Sequence, residues 1–171
     1  MKKYFLILLA AAMFSGTLFA QTPAISTRYS DAEIDQLIHR YENSRTRDER
    51  VTGDLLQKFR NDFPEARFVE WETNGELYEV EFNLRWFRDA TAFYDKDGNL
   101  LMYKMEISER NLPAIVKTAA EARYPKFRFD EIEKVVKGTR TFYKIEMELR
   151  LRFEDTDVSM VISDEGKFID R

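Results

Sequence analysis

The chain has 171 residues, no cysteine, one histidine and a formal net charge of -4 at pH 7. Without cysteine there are no disulfides and no thiolate metal ligands, and a Ser-His-Asp triad would depend on His39 alone. An acidic chain also lacks the basic surface that nucleic-acid backbones require. We therefore expect one domain or two small ones, without cofactor or metal and without nucleic acid as a partner.

Residues 1–20 are predicted to be a secretory signal peptide. Residues 1–3 are basic, residues 4–14 are apolar, and small residues lead to Ala20. This order is typical of an export signal, and we predict cleavage near Ala20. The apolar run is too short to span a bilayer, and no later stretch is long enough. The mature protein is therefore expected to be periplasmic or secreted, without a membrane span.

Residues 21–50 are predicted to contain a leader and one amphipathic helix. Ser30 and Glu33 form a capping-box pattern, in which each side chain accepts a hydrogen bond from the other residue's backbone amide. The apolar residues that follow have the spacing of one helix face, and they are Ile34, Leu37, Ile38 and Tyr41. We expect the helix to run from Ser30 to about Tyr41, with His39 exposed on it.

Residues 51–110 are predicted to form a helix followed by four strands. Val51, Leu55 and Phe59 recur every four residues, and Pro64 ends the helix. The period then changes to two, because apolar residues alternate with polar ones at Tyr78, Val80, Phe82 and Leu84. Turn signals at Asn74-Gly75 and at residues 95–99 separate the strands.

The same pattern returns in residues 111–171. The matching segments are Phe63-Pro64 with Tyr124-Pro125, residues 77–85 with residues 142–150, and Gly98 with Gly166. Such internal similarity indicates a repeated structural unit. We therefore predict an α+β fold of two tandem repeats, each a helix plus a four-stranded antiparallel sheet, with an extra N-terminal helix. The sequence leaves open whether the two sheets are continuous.

Several of these motifs together resemble the PepSY-like, β-lactamase-inhibitor-like family of exported proteins, which is common in Bacteroidetes. The matching segments are Phe63-Pro64, Val69 to Glu72, Tyr78 to Phe82, Tyr94 to Leu100, Leu112-Pro113-Ala114 and Tyr124-Pro125. The resemblance implies small periplasmic or secreted α+β domains, with helices on one face of an antiparallel sheet and no cofactor. The family's namesake inhibitor covers an enzyme active site with a concave sheet. The second copy departs from the pattern at residues 163–166.

Residues 95–99 invite comparison with a calcium loop. The candidate ligands fall at loop positions 1, 3, 5 and 12, and they are Asp95, Asp97, Asn99 and Glu106. However, the glycine needed at position 6 is replaced by Leu100, and strands rather than helices flank the segment. We therefore interpret the segment as a tight turn between strands, in which Gly98 supplies the positive φ.

Pairs of glutamates two residues apart, such as Glu79 with Glu81 and Glu146 with Glu148, would share one strand face. Such a pair could serve as a general acid and base. The opposite face of the same strand has the apolar side chains Val80 and Phe82, so we expect the glutamates to face solvent. No catalytic residue is assigned, and a hydrolase that uses only carboxylates is the least favoured function.

The polar face of the sheet is the candidate protein-binding surface, because helices on one face leave the other open. The candidate residues are Glu79, Glu81, Trp86, Phe87, Phe142, Lys144 and Glu146. Aromatic side chains beside charges suit a protein interface. Alternatively, Trp86 and Phe87 fill the core or pack between the repeats.

The function predicted from the sequence is that of an exported, non-enzymatic binding module, such as an inhibitor or regulator of an envelope protein or protease. Its partner is then another periplasmic or envelope protein. The alternative is a structural or stress-related envelope protein that binds a small apolar ligand between sheet and helices. The sequence indicates neither the partner's identity nor the oligomeric state.

Overall fold

A computed structural model describes residues 23–44, 51–84, 88–150 and 155–169. The fold is α+β, and its strands form one antiparallel sheet in the order β1-β2-β3-β4-β5-β6-β7. The helices are α1 (Asp31–Glu42), α2 (Gly53–Asp62) and α3 (Ala114–Arg123). The strands are β1 (Arg67–Thr73), β2 (Leu77–Leu84), β3 (Arg88–Asp95), β4 (Leu100–Glu106), β5 (Arg128–Lys137), β6 (Arg140–Arg150) and β7 (Asp155–Ser163).

The helices begin and end where local chemistry requires. The capping box at α1 is confirmed: the backbone amide of Ser30 donates to Glu33 Oε2 at 2.8 Å, and the Glu33 amide donates to Ser30 Oγ at 3.4 Å. Such a cap contributes about 1 kcal/mol. Helix α2 ends at Asp62 and α3 ends at Arg123. Their C-cap residues, Phe63 and Tyr124, each directly precede a proline, which disfavours helical backbone in the residue before it.

Helices α2 and α3 lie on the same face of the sheet, here called the α2/α3 face, and each packs on its own apolar cluster. Under α2, Phe59 and Phe63 meet Phe82 with ring centroids 5.1 and 4.7 Å apart. Under α3, the fully buried Val116 and Ala120 belong to a second apolar cluster, which also contains Ile145, Met147 and Ile162. The alternating apolar residues of β2 and β6 therefore form the core side of the sheet.

Helix α1 lies on the opposite face, here called the α1 face. Its buried residues Ile34 and Tyr41 pack with Leu77, Phe93 and Leu101, which point away from α2. The expectation that helices on one face leave the other face open is therefore wrong where α1 lies. The physical reason is that these three sheet residues interrupt the polar face with apolar side chains, which the apolar stripe of α1 covers.

The sheet is continuous between the two predicted repeats. Strand β4 pairs with β5, as shown by the opposed residues Glu106 and Glu133, and the Ile107 amide donates to the Ile132 carbonyl at 2.8 Å. The described residues therefore form one sheet of seven strands. In place of a fourth strand after β7, Phe168 forms an isolated β-bridge with Ile162.

Two predictions concern membrane insertion and export. The predicted signal peptide lies outside the described residues. Within the described ranges, no helix combines the length and the apolar character needed to cross a bilayer.

Candidate protein-binding face of the sheet

Side chains on the α1 face line up in rows that cross the strands, since alternate residues of each strand point to one side. The first row is Glu72, Glu79, Phe93, Met102, Lys137 and Arg140. The second row is Glu70, Glu81, Thr91, Lys104, Val135, Phe142 and Ser163. The third row is Glu106, Glu133, Lys144 and Val161, and the fourth row is Glu131, Glu146 and Ser159.

Helix α1 crosses the strands over the first row and is attached at both ends. At its start, Asp35 binds the ammonium of Lys137 at 2.6 and 2.8 Å, and Asp31 pairs with Arg140. At its end, the Tyr41 hydroxyl donates to Glu72 Oε2 at 3.3 Å. The first row is therefore covered by this chain itself, and Thr91 and Val135 of the second row are also buried.

Glu79 is buried, with 9% of its surface exposed. The expectation that it faces solvent was wrong, because Tyr41 of α1 lies over the first row. Burial raises the pKa of the Glu79 carboxyl, and the charge of Glu81 raises it further, while a hydrogen bond from Tyr41 partly offsets both effects. Burial is also the largest of the causes that raise the pKa of the Tyr41 hydroxyl. The hydroxyl therefore stays protonated and acts as a hydrogen-bond donor.

The raised pKa of Glu79 predicts that stability depends on pH. A carboxyl whose pKa is higher in the folded state favours folding at low pH, and this contribution is lost as the pH rises through the folded-state pKa. We expect the free energy of unfolding to fall as the pH rises above the ordinary carboxyl value of 4.5. Glu79→Gln should remove this part of the pH dependence and be more stable than wild type at pH 7. Urea unfolding from pH 4 to pH 8 measures both effects.

The matched control for this prediction is Glu42→Gln, at an exposed glutamate in the last turn of α1. Its stability profile should follow that of the wild type. If Glu79→Gln also follows the wild-type profile, burial of the carboxylate has no energetic consequence.

The other candidate residues lie in rows that α1 does not cover. Glu81 and Glu146 are exposed, and Phe142 and Lys144 are half-buried. The structure therefore brings these four side chains to one face, in the second, third and fourth rows. Trp86 and Phe87 lie outside the described residues. A role of this face in binding remains a prediction.

Acidic side chains stand directly opposite one another on this face. The opposed pairs are Glu70 with Glu81, Glu72 with Glu79, Glu106 with Glu133, Glu131 with Glu146, and Glu148 with Asp157. Like charges in this position destabilise a sheet. Burial raises the pKa of the Glu131 carboxyl, and the neighbouring charges of Glu146 and Glu133 raise it further. Sequence reasoning did not place Glu106, Glu131 and Glu133 on this face, although the spacing of two between Glu131 and Glu133 within β5 was a signal.

A cleft of about 380 Å³ opens near the end of β2 and the start of β3, and its lining includes residues from both faces of the sheet. Its lining includes Glu70, Glu81, Asp89 and the ring of Phe68. Phe68 is 70% exposed and has a φ of 53°, the left-handed region, at an irregularity in the pairing of β1 with β2. This conformation is strained for a non-glycine residue, and it displays an aromatic ring that the sequence pattern did not indicate.

The segment 95–99 forms the predicted turn. The Asp95 carboxylate accepts hydrogen bonds from the backbone amides of Asp97 and Asn99 at 2.9 and 2.8 Å, and Gly98 has a φ of 75°. The carboxylate therefore bonds the turn that follows it, as Asx turns do. The described residues contain no group of three or more side chains arranged to hold a metal ion. His39 is exposed near the end of α1, as expected.

The architecture defines an α+β class in which helices cover one face of a broad antiparallel sheet and only part of the other. The chain belongs to the family described as "Putative beta-lactamase-inhibitor-like, PepSY-like", whose model matches residues 38–102 and 78–170. The family resemblance drawn from the sequence is thereby confirmed. No curated protein is similar enough to the chain to count as a match.

Solved structures with the same fold come from Bacteroides species. A BLIP-like protein from Bacteroides fragilis has 19% identity and a TM-score of 0.56, with 71% of this chain and 84% of that chain covered. A DUF2874 family protein from Bacteroides uniformis has 17% identity and a TM-score of 0.56, with 71% and 88% covered. A protein of Bacteroides eggerthii, described as periplasmic, has 13% identity and a TM-score of 0.57, with 71% and 87% covered. At these identities the likeness concerns the fold alone.

Proposed function

We propose that this protein is an exported, non-enzymatic binding module that contacts another envelope protein through the uncovered rows of the α1 face. The observation that supports the proposal is an antiparallel sheet face on which charged and aromatic side chains lie beyond the reach of α1. An antiparallel sheet can leave one polar face to solvent, and charged side chains beside an aromatic one also suit a protein interface. The predicted signal peptide and the described periplasmic relative agree with an envelope location. An inhibitor or regulator of an envelope protein or protease fits this role.

We also propose that residues 51–110 and 111–171 are two copies of one unit, after a signal peptide (1–20) and the leader and helix of residues 21–50. Helices α2 and α3 both have 10 residues. The C-cap residues of the two helices have nearly the same backbone conformation. Their φ and ψ angles are -131° and 70° at Phe63, and -132° and 65° at Tyr124. Gly98 and Gly166 both have positive φ in matching turns. These agreements support a duplication.

An apolar ligand between sheet and helices has less support. Aromatic rings occupy the space beneath α2, where Phe63 lies 5.7 Å from both Phe59 and Tyr103 between ring centroids. Phe59 also meets Trp71 at 5.4 Å. A core filled in this way has the density of an ordinary protein interior. We therefore place the proposed binding surface on the α1 face.

Site-specific photo-crosslinking tests the proposed function. A photoreactive amino acid at position 146 probes the α1 face, and the same group at position 121 probes the exposed side of α3 on the other face. With envelope extract from the source cell, we expect a discrete adduct from position 146 and none from position 121. Equal adducts from both positions, or no adduct from position 146, would contradict a binding function of this face.

A further inference from the structure

We propose that the outer edge of β7 is a separate binding site, which takes up an extended segment of a partner protein as a further antiparallel strand. The segment alternates basic residues with apolar ones. Strand addition of this kind obtains its affinity from main-chain hydrogen bonds and its specificity from alternate side chains. The inference goes beyond the proposed function, because it concerns an edge of the sheet rather than the α1 face.

The two edge strands of the sheet differ in regularity. At β1, the pairing with β2 shifts between Arg67 and Glu70, and Phe68 has a positive φ. Irregularities of this kind protect an edge from pairing with another chain. At β7, the pairing with β6 runs from Asp155 to Ser163 without a shift. Strand β7 therefore presents a regular row of outward backbone groups, on which another strand can form.

The chain itself shows that this edge accepts an extended segment. On the outer side of β7, the Ile169 amide donates to the Val161 carbonyl and the Ser163 amide donates to the Lys167 carbonyl, each at 2.8 Å. Phe168 lies between these two bonds and packs against the apolar cluster beneath α3. This C-terminal segment runs antiparallel to β7 and pairs with one end of its outer edge.

The hydrogen-bonding groups on the remainder of the edge follow from the same alternation. Since the backbones of Ser163 and Val161 point outward, those of Ser159 and Asp157 do so as well, whereas the residues between them bond to β6. Within the described ranges, no backbone hydrogen bond reaches Ser159 or Asp157 from the outer side. Both residues are exposed. Their amides and carbonyls are therefore available to an added strand.

A cleft of about 240 Å³ lies beside this part of the edge. Its lining includes Ser159 together with Tyr124, Met160 and Phe168, which belong to the apolar cluster beneath α3. Small-molecule sites have about 300–1,000 Å³, so the cleft suits a single side chain better. The guanidinium of Arg123 lies 4.6 Å from the centroid of the Phe168 ring and disfavours a second cation there. An apolar side chain opposite Met160 on the added strand fits this cleft.

On the α1 face, Asp157 favours a basic residue in the added strand. Asp157 stands opposite Glu148 of β6, so the next position outward lies beside acidic side chains. Opposite charges across neighbouring strands stabilise a sheet, and like charges destabilise it. The same rule disfavours a second copy of this chain, because two β7 strands paired through residues 155–159 would place Asp157 opposite Asp157. The occupant is therefore a different protein, with basic residues toward the α1 face and apolar ones toward the cleft.

The test uses the exported protein and short synthetic peptides that alternate lysine with valine, with affinity measured by calorimetric titration. Lysines of the added strand lie opposite Asp157 and Ser159, so their backbone amides point toward β7, whereas the valine amides point away. One peptide therefore has N-methyl groups on its lysine amides, and its matched control has them on its valine amides. A further peptide has glutamate in place of lysine.

We expect the unmodified and the valine-methylated peptides to bind with similar affinity. The lysine-methylated peptide should bind about tenfold more weakly or worse, because it cannot donate to the edge of β7. The glutamate peptide should also bind more weakly than the lysine peptide. Equal affinities of the two methylated peptides would overturn the inference, since binding would then not use the strand edge. Absence of binding by the unmodified peptide, or equal affinity of the glutamate peptide, would also overturn it.

A protein variant tests the edge independently. Ser159→Pro removes an amide that points outward, a position at which an edge strand tolerates proline. Circular dichroism should therefore show an intact fold, while binding of the lysine–valine peptide falls about tenfold or more. The matched control Ser159→Ala keeps the amide and should bind as the wild type does. If Ser159→Pro does not fold, the inference fails, because its amide then bonds within the sheet. Self-association of the wild type that Ser159→Pro abolishes would instead make the edge an interface between copies and overturn the inference.

Discussion

Replacing Phe63 with alanine should lower the free energy of unfolding by about 3–5 kcal/mol, the range for a fully buried aromatic side chain. Phe63 is 4% exposed and lies at the end of α2, where its ring meets three others. Its centroid distances to Phe59, Phe82 and Tyr103 are 5.7, 4.7 and 5.7 Å. Truncation therefore removes apolar burial and several ring contacts at once and leaves a cavity beneath the helix.

The matched control is Phe68→Ala, the same substitution at a ring that is 70% exposed. It should cost less than about 1 kcal/mol, as is usual for surface substitutions. Urea unfolding followed by far-UV circular dichroism gives both values. A difference of less than about 1 kcal/mol between the two variants would mean that the ring cluster beneath α2 does not have the packing described above.

The helices and the apolar side of the sheet could be predicted from the sequence because their causes are local. Ser30 and Glu33 are three residues apart, and the capping box needs no other part of the chain. Pro64 and Pro125 end α2 and α3 through their own ring geometry. The alternation of Val80 and Phe82 with glutamates determines which side of β2 is buried, whatever lies on top of it.

The position of α1 could not be predicted, because an apolar stripe indicates that a helix is buried but not on which surface. The stripe of Ile34 and Tyr41 fits either face of a sheet. The available signal was a set of apolar residues in phase with the polar side chains, namely Leu77 beside Glu79 in β2 and Phe93 in β3. Leu77 and Phe93 are 0% and 5% exposed beneath α1, and the same helix buries Glu79.

The composition of the candidate face could be predicted in part. Glu81 and Glu146 follow from alternation within their own strands. The opposition of Glu106 with Glu133 depends on the pairing of β4 with β5, which are separated in the chain by α3. The opposition of Glu131 with Glu146 depends on the register of the hairpin between β5 and β6, which also pairs Lys137 with Arg140. Register over such distances is a tertiary property that local periodicity does not contain.

Ile34→Asp should detach α1 from the sheet and lower the free energy of unfolding by at least about 3 kcal/mol, since a buried apolar side chain is lost and a charge has no partner there. Ile34 is 0% exposed and lies in the cluster with Leu77, Phe93 and Leu101. Because α1 covers only the first row, the helix can leave without breaking any strand pairing. Hydrogen exchange should therefore show lost protection in residues 31–42 and retained protection in β6 and β7.

The matched control is Gln36→Asp, which places the same new residue at an exposed position of the same helix. Its stability should stay within about 0.5 kcal/mol of the wild type, with α1 still protected. Equal protection of α1 in Ile34→Asp and wild type would contradict the packing of this helix on the α1 face. If protection is lost instead across the whole sheet, the first row and α1 form a single cooperative unit with the two helices of the opposite face. In that case α1 is part of the folding core.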